Sequence, residues 1–144
     1  MVRQVISAPD APKAMGAYSP AIITGNLLFV TGQVGQGDDV RAQTTATLEN
    51  IKRIVEAGGS TMANVVKCTV FLLDLADFPA FDATYSHYFG ASPPARSTVQ
   101  VVALPRGARI ELEANALRHC QMPRKPVKRV AGPCERIDQE GSLG

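Results

Sequence analysis

From Arg109 to Ala116 this chain alternates without a break. Ile110, Leu112, Ala114 and Ala116 fall on one side of an extended backbone, and Arg109, Glu111, Glu113 and Asn115 on the other. Period two fits a half-buried strand and not a helix, whose period is 3.6. The fold must therefore offer this segment one apolar face and one polar face. Upstream, Pro94-Ala95-Arg96-Ser97-Thr98-Val99-Gln100-Val101 has similar character, and Pro105-Arg106-Gly107 supplies a turn between the two. They are expected to pair as a hairpin. Arg96 at the head of one strand would then face carboxylates on its partner, a small site able to hold an anion beside an acid/base group. The ordinary alternative is a polar strand face in water.

The remaining elements can be read in order. Val2 to Ile6 is a first strand, followed by an irregular stretch with Pro9 and Pro12, which cannot donate to a ladder. Pro20 to Thr24 and Leu27 to Thr31 form a hairpin around Gly25-Asn26. Asp38 or Asp39 can cap a long helix that ends near Ala57 at Gly58-Gly59, with Leu48, Ile51, Ile54 and Val55 on its apolar face. Val65 to Leu73 is a strand with apolar residues on both faces, so it should be central and covered on each side. Asp77 opens a second helix with Pro79 in its first turn; Phe78, Phe81, Tyr85 and Phe89 form its stripe and Gly90 its stop. The order βββαβαββ predicts an α+β sheet carrying both helices on one face.

The 144 residues fit one domain, with 45% hydrophobic and 19% charged residues, as in a soluble globular protein. No apolar run approaches the length of a membrane span, and the N-terminus lacks the pattern of a secretory signal. Cys68, Cys120 and Cys134 make no metal or redox motif, and their odd number argues against a disulfide framework; a cytoplasmic, reduced setting is the expectation. His87 and His119 give no metal spacing. The net charge of +2 comes from residues 121–144, because residues 1–120 hold ten basic and ten acidic side chains. A neutral domain argues against nucleic-acid binding. Residues 120–144, with Pro123, Pro126 and Pro133 among charges, read as a disordered tail after a domain of residues 1–119.

Several segments occur in a telling order: Gly16-Ala17-Tyr18-Ser19-Pro20-Ala21, Thr31-Gly32-Gln33, Leu48-Glu49-Asn50-Ile51, Asn64 to Leu72, Asp77-Phe78 and Pro94-Ala95-Arg96-Ser97. Together they resemble the Rid family (also called YjgF), the reactive-intermediate deaminases. The resemblance runs from about Arg3 to about Leu117. It implies a chorismate-mutase-like fold assembled as a homotrimer, with the sheets facing a central barrel. It also implies hydrolytic deamination of 2-imino or enamine acids, such as 2-aminoacrylate and 2-iminopropanoate, to 2-oxo acids and ammonia, without metal or cofactor.

The resemblance further implies roles for particular residues. Arg96 would anchor the substrate carboxylate, which its planar fork suits. Glu111 would orient or activate water, although pattern alone does not separate it from Glu113. Tyr18 would pack over the substrate, Thr31 beside Gly32 would lie near the carboxylate, and the Thr98 carbonyl would help hold the water. Two departures stand out. Asp82 replaces an asparagine common in relatives, and Val34-Gly35-Gln36-Gly37 is shorter than the usual loop. Both leave room for a non-catalytic module that binds small carboxylates. An endoribonuclease or translation inhibitor is the third reading.

Overall fold

The computed structural model describes residues 2–119. The tail read from 120–144, with Cys120 and Cys134, lies outside the described residues. Six strands form one mixed sheet: β1 (Arg3–Ile6), β2 (Ala21–Thr24), β3 (Leu27–Gln33), β4 (Val65–Leu72), β5 (Ala95–Gln100) and β6 (Ile110–Leu117). Helices α1 (Val40–Ala57) and α2 (Phe78–Phe89) follow β3 and β4. The strand order is β1-β2-β3-β6-β4-β5, and only β4 and β5 run parallel.

The local signals act as the residues dictate. Gly25, with φ 57°, turns β2 into β3. Asp39, rather than Asp38, caps α1 by accepting from the Ala42 amide at 2.8 Å. Leu48, Ile51, Ile54 and Val55 are fully buried against Leu28 and Val30 of β3, Val70 and Leu72 of β4, and Ile110 and Leu112 of β6. Phe81 and Tyr85 bury the stripe of α2 in the same core. Asp77 precedes α2 without capping it; both of its carboxylate oxygens accept from Arg109, at 2.8–3.0 Å. No helix among the described residues is long and apolar enough to cross a membrane.

The expected hairpin between β5 and β6 does not form. β4 lies between them, pairing parallel with β5 and antiparallel with β6. The cause is topological. A parallel β4–β5 pair needs a crossover, which α2 provides, and residues 101–109 then carry the chain back over β4 to the β3–β4 gap. Central placement of β4 holds, but its cover is one-sided in the chain. Cys68, Val70 and Leu72 are buried under the helices, whereas Val66 is 40% exposed on the other side.

Candidate active site

The expected site residues gather in two groups. The first is built on a bulge. β3 and β6 pair at Val30↔Ala114 and again at Gln33↔Leu112, so β3 carries one extra residue across Thr31-Gly32. A bulge re-aims side chains and twists the strand locally. Thr31 is held there by its amide, which donates to the Pro20 carbonyl at 3.0 Å. The preceding loop is tied by a bond from the Met15 amide to Tyr18 Oη at 3.1 Å. The result is an open cavity of about 390 Å³ whose lining includes Lys13, Tyr18, Thr31, Gly32, Arg106 and Glu111.

Gly32 is required by closeness. A Cβ there would collide with Glu111 Oε1 and stand 3.0 Å from Cδ. Glu111 is half-buried in β6, and its carboxyl is raised above the usual carboxylate range, chiefly by burial and then by the like charge of Glu113. Glu113 is exposed and lines no part of this cavity. The two glutamates that alternation could not separate are thus distinguished by their surroundings: Glu111 lies against Gly32 and lines the cavity, and Glu113 does not line it.

The second group surrounds Arg96. Its Nη1 donates to Asp82 Oδ1 at 2.8 Å, and its guanidinium lies 5.3, 5.2 and 4.7 Å from the ring centroids of Phe78, Phe81 and Tyr85. Cation–π attraction and the ion pair together orient the fork. Two residues along β5, Thr98 keeps a buried hydroxyl without a hydrogen-bond partner among the described residues. Sequence reasoning treated the α2 aromatics as core only. Their spacing, Phe78, Phe81, Tyr85, was visible, but the parallel β4–β5 pair that brings Arg96 beneath them was not.

One chain does not unite the groups. Arg96 is registered with Cys68 and Glu111 with Phe71. Cross-strand partners share a face, and residues three apart on a regular strand take opposite faces. Arg96 therefore projects to the helix side and Glu111 to the open side, two strand spacings or about 10 Å apart laterally. Among the described residues there is no cluster of three or more His, Cys, Asp or Glu able to hold a metal.

Comparison with known proteins agrees with the fold and the motifs. Residues 8–118 match the model of a family described as Endoribonuclease L-PSP. Protein DfrA of Myxococcus xanthus is 43% identical over 128 residues, covering 81% of this chain and 97% of its own. The 2-iminobutanoate/2-iminopropanoate deaminase of Rattus norvegicus is 40% identical over 126 residues, covering 82% and 92%. The crystal structure of the YjgF gene product of E. coli superposes with a TM-score of 0.76 at 39% identity, covering 81% of this chain and 99% of that one.

Proposed function

The chain belongs to the Rid (YjgF) family, and on that premise we propose that it hydrolyses 2-imino and enamine acids to 2-oxo acids and ammonia. The observation that carries the reading is the carboxyl of Glu111, half-buried in a cavity beside Tyr18, Thr31 and Gly32 and raised by burial and by the like charge of Glu113. A carboxyl so placed suits general acid/base work. Relatives at about 40% identity that carry a deaminase name support the same reaction.

Arg96 anchors the substrate carboxylate, with the Thr31 hydroxyl as a second donor. Glu111 and the Thr98 carbonyl hold a water against the imine carbon. Glu111 takes a proton from that water as its oxygen bonds to carbon and passes it to the imine nitrogen, giving the neutral carbinolamine. Glu111 then takes the hydroxyl proton as the carbonyl forms and delivers it to the nitrogen, so the C–N bond breaks and ammonia leaves. Such imines already hydrolyse in water, so positioning and one acid/base group suffice. Because Arg96 and Glu111 of one chain face apart, a complete site takes Arg96 from one copy and Glu111 from another. This is consistent with the trimer that the family resemblance implies.

The test is imine turnover by mixed variants. An amino-acid oxidase supplies imines from alanine or leucine, and semicarbazide competes for them. Arg96→Ala and Glu111→Gln should each be inactive alone and regain activity when unfolded together and refolded. Failure of the wild-type chain to suppress semicarbazone formation would overturn the reaction. A second reading, a carboxylate-binding module, is favoured by one observation: Asp82 already occupies one arm of Arg96. Calorimetry showing 2-oxo acid binding without turnover would support it.

A further inference from the structure

The turn before β6 holds a left-handed residue that is not glycine. Arg106 has φ 57° and ψ 25°, and Gly107 beside it has φ 64°. An L-residue with a long side chain costs about 1 kcal/mol in this region, and such costs collect where a side chain has work to do. The chain places Arg106, rather than a second glycine, at this point.

Its position gives that cost a purpose. Arg106 and Val34 line both the cavity that contains Glu111 and an adjoining one of about 220 Å³. Arg106 is the one charged side chain lining the smaller cavity. Two neutral polar side chains, Gln36 and Gln43, also line it, and Gln43 is already used: its Nε2 donates to the Gly37 carbonyl at 3.0 Å and its Oε1 accepts from the Arg109 amide at 2.8 Å. The loop wall stays low because Gly35 and Gly37 lie directly on α1, where a Cβ on Gly35 would come within 2.5 Å of the Thr47 amide nitrogen. Arg96 and Arg109 each hold a carboxylate. Arg106 holds none among the described residues.

We propose that Arg106 binds a second anionic group at the far end of the substrate, so that the site favours 2-imino acids with an acidic side chain over those with a short apolar one. This rests on the imine-hydrolase reading. The carboxylate at the reacting end belongs to Arg96, and the side chain then runs from Glu111 past Val34 into the smaller cavity. A guanidinium without a partner offers a distal carboxylate two parallel hydrogen bonds. Lys13, in the lining of the larger cavity, adds positive potential on the approach.

The experiment is calorimetric binding of 2-oxoglutarate and 2-oxobutanoate to the full chain, read as the ratio of their affinities. Wild type should prefer 2-oxoglutarate. Arg106→Gln should lower the ratio by about tenfold, and Arg106→Lys should recover part of it. Arg106→Gly accepts the same backbone without strain and should lose the ratio as fully. A wild-type preference for 2-oxobutanoate, a ratio that Arg106→Gln leaves unmoved, or binding of neither acid would overturn the assignment. Turnover of the alanine imine by wild type is scored separately. Turnover with an unmoved ratio removes only the role of Arg106, whereas no turnover with a lost ratio removes only the hydrolase reading.

Discussion

Arg96 Nη1 and Asp82 Oδ1 lie 2.8 Å apart, so the residue best suited to hold a substrate carboxylate already holds one from its own chain. Asp82 is about half exposed, which leaves it free to swing away when another anion arrives. Replacing it with asparagine keeps the shape and removes the competing charge. Asp82→Asn should lower the KM for imino acids several-fold. Arg96→Ala should cost at least about a hundredfold in kcat/KM while leaving the fold intact. Steady-state kinetics with circular dichroism check both; an unchanged KM in Asp82→Asn would mean that the pair does not compete with substrate.

In the proposed mechanism Glu111 sets the acid side of the pH profile. Its carboxyl is raised by burial and by Glu113, and it must be ionised to accept a proton from water. Activity therefore rises as pH passes through the raised value. Glu113→Gln removes the like charge and should move that limb to lower pH, whereas Glu111→Gln should cost on the order of 10²–10⁴ in rate.

The same shift has a sign for stability. A carboxyl raised on folding contributes stability that is fully present below the unfolded carboxylate value and is lost as pH rises through the folded one. Glu111→Gln should accordingly unfold at a higher temperature than wild type at neutral pH. The difference should close as the pH falls below the ordinary carboxylate range. Thermal melts across that range provide the readout.

Gly32 keeps Glu111 where it is. A methyl at position 32 meets the flexible end of Glu111 rather than backbone, so the glutamate can move aside. Gly32→Ala should keep its melting temperature within a few degrees and lose about a hundredfold in kcat, as misplacement of an acid/base group by an ångström can cost. Loss of folding instead would show that the bulge cannot absorb the change.

Arg106→Gly should stabilise the chain by about 1 kcal/mol, because glycine takes the left-handed backbone freely. Some of that gain is offset by the greater freedom of glycine in the unfolded chain. Denaturant unfolding measures the difference, and a destabilised variant would mean that the arginine side chain makes a structural contact stronger than its strain.

Much of this architecture can be read from periodicity. The alternation of residues 109–116 assigns the buried face of β6, the spacing of Leu48, Ile51 and Ile54 assigns that of α1, and the turn at Gly25 is written in its residue type. Periodicity tells which face a residue takes and not which strand lies beside it. For that reason β5 and β6 looked like partners although β4 separates them. The length of the 101–109 connection was the missed signal, since hairpin loops usually run about 2–5 residues. The ring-lined setting of Arg96 depends on the same strand order. The left-handed backbone of Arg106 had no signal of its own, because arginine does not advertise it as glycine does. Motifs named Tyr18, Thr31, Gly32, Asp82, Arg96, Thr98 and Glu111 as candidates, but they could not say that the sheet would divide them.

For the proposed reaction, the insertion of β4 between β5 and β6 ties chemistry to abundance. With Arg96 and Glu111 directed away from each other, a lone chain has every part of the proposed site and no working copy of it. Specific activity should then fall on dilution, and the amount of protein a cell makes would control catalysis more steeply than in proportion.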